Sequence, residues 1–263
     1  MIARRLMTLG ACSASGLLAL SGCGTSESPS SSGAPDAHQP EVTSVSTPTE
    51  SLQARLDARR AEFSATASEA LKITFNEGVR EVGESGVLDS AKKVGDAAPN
   101  FTLPNAVGES VELASLLEQG PVVLTWYRGG WCPYCNIQLA AYQEILGDFK
   151  ALGAHLVAIS PETPDHSLDT KQKNELEFHV LSDVGHTVAA SYGLAYTLPQ
   201  GVQDAFKGRL DLPAFNGDDS WQLPLSATYV IDRAGVVRYA FLDADYRIRA
   251  EPAAVLEAVR ALD

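Results

Sequence analysis

The sequence predicts an α/β protein with a mixed central sheet flanked by helices and a helical extension on its N-terminal side. Three observations carry that prediction. Continuous apolar runs at residues 121–127 (PVVLTWY) and 155–160 (HLVAIS) alternate with longer stretches of helical periodicity. A second pair of runs, 227–232 and 236–242, is joined by Asp232-Arg233-Ala234-Gly235, residue types that suit a type I turn. Residues 51–84 hold no proline and are rich in Ala, Glu, Arg and Leu. The order βαβα, then a β-hairpin and a last helix, requires parallel and antiparallel pairing in one sheet.

Taken from the N-terminus, residues 1–22 read as a signal peptide. Arg4 and Arg5 form a basic start, and Leu6 to Leu20 is too short an apolar stretch for a permanent bilayer span. It ends in Leu20-Ser21-Gly22-Cys23, which resembles a bacterial lipobox; the resemblance implies cleavage before Cys23 and its acylation. Leu9-Gly10-Ala11-Cys12 has a similar form but leaves no usable apolar region after the arginines. Residues 23–50 read as a disordered tether. From Gly24 to Glu50 there are seven Ser, four Thr, four Pro and two Gly, and no apolar period that could offset ordering entropy.

The segment 51–90 is the helical extension. Leu52, Leu56, Ala61, Phe63, Leu71 and Val79 recur at helical intervals, with an end expected near Gly83 or Gly86. The main domain is 91–263. Phe101–Leu103 and Val111–Leu113 read as a hairpin-like pair around Gly108. Residues 121–127 form a buried central strand broken by Gly129-Gly130, and a helix runs from Pro133 to Leu152 with Tyr142, Ile145, Leu146 and Phe149 on one stripe. Residues 155–160 form a strand, 164–176 a helix, 178–182 a strand and 185–192 a helix. Residues 196–225 look irregular. The hairpin 227–242 follows, and Pro252 opens a final helix to Leu262.

Composition narrows the function. Of 263 residues, 45% are hydrophobic and 20% charged, enough for a packed core. The net charge of −13 would become −15 on loss of Arg4 and Arg5, which argues against a nucleic-acid partner and against a basic membrane patch. Any membrane link would then be the lipid on Cys23. Four cysteines are too few for a disulfide scaffold. Two of them, Cys132 and Cys135, stand in Trp131-Cys132-Pro133-Tyr134-Cys135 where the central strand gives way to a helix. Unpaired amides and the helix dipole favour a thiolate there, and two residues of spacing let the pair close a short disulfide. Zinc would need further ligands, and the five histidines show no ligand spacing. A structural disulfide in so short a loop would add little stability. No cofactor or metal is implied.

WCPYC at a strand–helix junction resembles the thioredoxin superfamily, and CPYC is similar to the glutaredoxin tetrapeptide. Val94-Gly95-Asp96 with Ala98 to Leu103 resembles the opening of peroxiredoxins of the alkyl hydroperoxide reductase/thiol-specific antioxidant family. So do the strand ending Trp126-Tyr127, and Ala227 to Asp232 followed by Gly235; the likeness covers about residues 91–245. It implies a thioredoxin-like fold and thiol-dependent reduction of hydrogen peroxide or organic hydroperoxides, with a thioredoxin-like reductant as partner. The family's Pro-x-x-x-Thr-x-x-Cys pattern, set in register, puts the peroxidatic cysteine on Cys135, Cys132 at the threonine and Arg128 at the proline. The family's second arginine falls near Ser226, which carries no charge; the cis-proline of thioredoxins falls there too, with Pro224 nearby, and their buried acid falls on Trp126. The chain most resembles bacterial peroxiredoxin-like proteins with RGxWCPYC.

From these residues the expected catalytic set is Cys132, Cys135 and Arg128, with Trp131, Pro133, Tyr134 and Ser226 shaping the site. Family register makes Cys135 the first attacker, whereas exposure at a helix terminus favours Cys132. Arg128 is read as a holder of thiolate or peroxide oxygen, against a surface ion pair. The 196–225 insertion, with Asn216-Gly217-Asp218-Asp219 and Trp221, is a candidate lid or substrate-side loop; its oxygens lack calcium-loop spacing. The leading function is an exported peroxidase, lipid-anchored to the bacterial cell envelope. A thiol–disulfide oxidoreductase for exported proteins and a non-catalytic surface binding module are the alternatives. Neither the oligomeric state nor the membrane concerned is specified.

Overall fold

β3 (Val122–Trp126) lies at the centre of a five-stranded sheet, and each of its five residues is buried, as a continuous apolar run should be. The computed structural model describes residues 50–262. The proposed signal peptide, Cys23 and nearly all of the tether lie outside the described residues.

Sheet order is β5-β4-β3-β8-β9. β4 (His155–Ser160) and β5 (His179–Ser182) run parallel to β3; β8 (Ser226–Ile231) is antiparallel to β3, with Thr125 opposite Thr228, and β9 (Val237–Asp243) is antiparallel to β8, with Thr228 opposite Phe241. The turn between β8 and β9 is the one read from sequence: the Gly235 amide donates to the Asp232 carbonyl at 2.9 Å, and the Asp232 carboxylate accepts from Ala234 and Val236. Period-two alternation sends Val123 to one face and Val122, Leu124 and Trp126 to the other.

On the first face lie α5 (Pro133–Glu144), α6 (Leu146–Ala151) and α11 (Pro252–Arg260), which bury Leu139, Tyr142, Phe149, Val255 and Leu256. The helix expected over 133–152 is therefore two. Ile145, at φ −113° and ψ 16°, leaves the helical region and separates them while keeping its side chain in the core. The other face is covered by α4 (Leu113–Gln119), α8 (Thr187–Ser191) and α3 (Val87–Ser90). α8 starts later than expected because His186 is left-handed, at φ 59°. β1 (Thr102–Pro104) and β2 (Ser110–Glu112) form the expected hairpin as a separate two-stranded sheet, and α7 (Pro164–Lys173) fills its expected place.

The N-terminal helices are α1 (Leu52–Thr66) and α2 (Glu69–Glu84), N-capped by the hydroxyls of Ser51 and Ser68. Leu52 and Leu56 enter the core, but Ala61 of the predicted stripe is exposed. Residues 196–225 are not irregular. β6 (Ala195–Thr197) pairs with β7 (Gln222–Pro224) around α9 (Gln200–Phe206) and α10 (Leu212–Asn216), enclosing a small core of Leu198, Val202, Leu212 and Leu223. α2 packs on α9 so closely that a Cβ on Gly78 would fall 2.4 Å from Val202 Cγ2.

Candidate active site

The chain leaves β3 through Tyr127 into Arg128-Gly129-Gly130-Trp131, and the two glycines are sterically required. Gly129 sits at φ +146°, and a Cβ there would fall 2.2 Å from Trp131 Nε1. A Cβ on Gly130 would lie 2.0 Å from Thr170 Oγ1. The turn is pinned by Glu162, just beyond β4, whose Oε1 accepts the Gly130 amide at 2.9 Å. Glu162 is 0% exposed, and burial raises its carboxyl to about 7 against the lowering effect of that amide. Sequence reasoning missed it: nothing local marks this glutamate as buried.

Cys132 is the N-cap of α5 and Pro133 its first residue, where proline's fixed φ and missing N–H are no loss. The Cys132 carbonyl accepts from Cys135 and Asn136 at 3.1 and 3.2 Å, and Asn136 Nδ2 ties back to the Gly130 carbonyl at 2.8 Å. Both cysteines are reduced and buried, at 1% and 0% exposure. The exposure expected for Cys132 at a helix terminus is absent: α1, α2 and the insertion cover it.

Cys135 Sγ receives the Arg128 amide at 3.4 Å and Arg249 Nη2 at 3.4 Å. Burial alone would raise this thiol. The hydrogen bond from Cys132, the Arg249 guanidinium and the Arg128 amide outweigh it and hold Cys135 well below an ordinary thiol. Burial, donation to Cys135 and the nearby Cys135 charge push Cys132 well above it. The surroundings therefore favour the thiolate on Cys135, with Cys132 as the thiol beside it.

The arginine expected near Ser226 is supplied from elsewhere. Arg249, between β9 and α11, is buried and aimed at the sulfur, with Nη1 on the carbonyls of Tyr246 and Ile248. Ser226 opens β8 at the sheet end where the Arg128 loop departs, and its buried hydroxyl has no partner among the described residues. No peptide bond among the described residues is cis.

Arg128 is no surface ion pair, and its charge favours the Cys135 thiolate. Its hydrogen bond to Cys135 comes from the backbone amide, while the guanidinium acts through its charge. The guanidinium lies 4.0 Å from the Tyr246 ring and 5.0 Å from that of Trp131, buried between them. Tyr134 packs edge-on to Tyr246 at 5.7 Å, and Trp131 likewise to Phe206 of the insertion at 5.6 Å. Trp131, Pro133 and Tyr134 thus shape the site, together with Tyr246 and Phe206, which the sequence did not single out. Among the described residues no cluster of His, Cys, Asp or Glu could hold a metal ion.

A family model described as the AhpC/TSA family matches residues 94–240, after the N-terminal helices and before Arg249. Peroxiredoxin Q, chloroplastic, of Oryza sativa subsp. japonica is 31% identical over 159 residues, 60% of this chain and 63% of that protein. Peroxiredoxin Bcp of Escherichia coli (strain K12) is 33% identical over 103 residues, 39% and 65% of the two chains. The chain thus spans under two thirds of the length of these relatives. Among solved structures, the peroxidoxin BcpB from Mycobacterium tuberculosis superposes with a TM-score of 0.52 at 24% identity, covering 65% of this chain and 98% of that one. The mitochondrial 2-Cys peroxiredoxin from Plasmodium falciparum gives 0.50 at 21%, covering 65% and 94%. The shared fold is the thioredoxin-like one.

Proposed function

This chain belongs to the AhpC/TSA family, and from that premise we propose that it is a thiol-dependent peroxidase in which the Cys135 thiolate attacks the peroxide. The observation that supports the reading is the pair of donors, Arg249 Nη2 and the Arg128 amide, both 3.4 Å from Cys135 Sγ. They stabilise the thiolate before substrate arrives and need no rearrangement to do so. Cys135 attacks the terminal oxygen of ROOH; the O–O bond breaks, the alkoxide takes a proton and leaves as ROH, and Cys135 becomes a sulfenic acid. Cys132 loses its proton, attacks Cys135 Sγ and displaces water, forming the Cys132–Cys135 disulfide. An external thiol system restores the pair with two electrons; a thioredoxin-like protein is the donor that family resemblance suggests.

The test separates the two cysteines. In Cys132→Ser, hydrogen peroxide should leave a sulfenic acid on Cys135 that dimedone traps and mass spectrometry locates; in Cys135→Ser, turnover should vanish. Sulfenic acid found on Cys132 instead would overturn the assignment. Thiol–disulfide exchange on proteins stays as a second reading because a CxxC pair heads α5; insulin reduction without peroxide turnover would establish it in place of the first. Export and lipid anchoring at Cys23 belong to the same proposal and rest on residues 1–50 alone. Cys23→Ser should shift the protein from the membrane to the soluble fraction, and retention would refute the anchor.

A further inference from the structure

A cavity of about 310 Å³ opens against the dithiol, and its chemistry is unlike that of the rest of the molecule. Three arginines line it, Arg59 from α1, Arg128 from the active-site loop and Arg209 after α9, and no Asp or Glu does. This occurs in a chain with 33 acidic and 20 basic residues. Arg59 is shared with Glu62 at 2.8 Å; Arg128 and Arg209 pair with no carboxylate among the described residues. The remaining wall is apolar and mostly aromatic, with Phe63 from α1, Phe75 from α2 and Phe206 from α9 facing Trp131 and Tyr246. Five of the lining residues, Arg59, Phe63, Leu71, Phe75 and Tyr246, lie outside the 94–240 family match.

Only one cysteine of the dithiol lines this space. Cys132 lines the cavity and Cys135 does not. In the oxidised protein the sulfur open to attack is therefore that of Cys132, and the sulfur behind it is the one already met by Arg249 and the Arg128 amide.

We propose that this cavity docks the reductant, and that the reductant is a small thiol carrying a carboxylate beside an apolar or aromatic body. The inference rests on the dithiol cycle described above and identifies its electron donor. The docked thiolate RS⁻ attacks Cys132 Sγ; the S–S bond breaks, and Cys135 leaves with the electron pair as a thiolate received by donors already in place. The product is a Cys132–S–S–R mixed disulfide. A second RS⁻ attacks the sulfur of R, releasing RSSR and a Cys132 thiolate that takes up a proton. Two RSH are oxidised to RSSR, and the protein gains two electrons. The arginines fix the carboxylate and the rings hold the body. A protein donor would have to carry its cysteine past α1, α2 and α9 to a sulfur that is 1% exposed.

The experiment isolates the reductive half-reaction. The full-length protein is oxidised with diamide, excess oxidant is removed, and reduction is followed by stopped-flow Trp fluorescence and by thiol count. The donors are 4-(mercaptomethyl)benzoate and its methyl ester, which share one thiol and differ in one charge. The acid should react about tenfold faster, as one charge-assisted contact predicts. The advantage should shrink toward parity at about 0.5 M salt, where exposed charges are screened. Arg209→Gln should lose most of it, while Arg233→Gln, in the remote β8–β9 turn, should retain it. Equal rates for acid and ester in the unmodified protein, or an advantage untouched by both salt and Arg209→Gln, would overturn the proposal. So would faster reduction by a thioredoxin at equal concentration. Because diamide supplies the oxidation, inertness toward peroxide would refute the peroxidase reading and leave this one standing. Failure of diamide to form the disulfide would refute both.

Discussion

At Cys135 the outcome is decided by which groups reach one sulfur atom. Burial opposes ionisation; the hydrogen bond from Cys132 is the strongest effect against it, and the Arg249 guanidinium adds a full charge in a site that water does not screen. Arg249→Met should therefore raise the thiolate transition by about 1–3 pH units, the usual effect of one close opposite charge. Ultraviolet thiolate absorbance of the reduced protein, titrated with pH, reads this directly. Arg249→Lys should recover part of the shift. A titration unchanged by Arg249→Met would show that Cys132 and the Arg128 amide suffice. The dithiol itself was legible in the sequence because strand end, glycines, CxxC and helix start are contiguous there. Arg249 was not, since it arrives 114 residues further along the chain through the closing hairpin. Glu162 was invisible for the same reason: a glutamate in a loop reads as solvated until the fold places the Gly130 amide over it.

Among elements, α1 is held by an unusual tie. The Glu251 carboxylate accepts the backbone amides of Leu52 and Gln53, at 3.3 and 2.7 Å, and so caps α1 from the far end of the chain. Glu251 is also the N-cap residue of α11, two positions after Arg249. Glu251→Gln should cost about 0.5–2 kcal/mol, the usual range for a lost helix cap, and should raise amide hydrogen exchange at the start of α1 more than in the central sheet. Uniform exchange change, or none, would show that α1 is fixed by Leu52 and Leu56 alone. The long elements were readable because their periodicity is: β3, β4, β8, β9 and α11 fall where the apolar runs put them. The insertion was read as irregular because its strands have three residues and its helices five and seven, too short for a period to register. The break at Ile145 escaped notice because an apolar stripe continues across it.

For the whole molecule, the asymmetry of the two thiols links redox state, stability and pH. In the reduced protein, Cys135 titrates below an unfolded thiol and Cys132 above it. Below the folded transition of Cys135, both states keep both protons and the pair contributes nothing. Between that transition and the unfolded thiol pKa of about 8.5, the unfolded chain holds one more proton, so the stability of the reduced form rises with pH by up to about 1.4 kcal/mol per unit. Above about 8.5 the unfolded chain loses two protons against one in the folded chain, and the gain declines again. The disulfide form has neither thiol and feels none of this, while a cross-link over so short a loop returns little entropy. The reduced protein should therefore melt higher than the oxidised one at neutral pH, with a gap that widens from pH 5 toward about 8.5 and narrows beyond. Calorimetry of both forms across that range provides the test. An oxidised form that melts higher at neutral pH, or a gap independent of pH, would mean that the folded site does not hold the Cys135 thiolate. A gap of the expected sign means that reduction is favoured by folding, which makes the disulfide oxidising and leaves its reduction to a donor of only moderate strength.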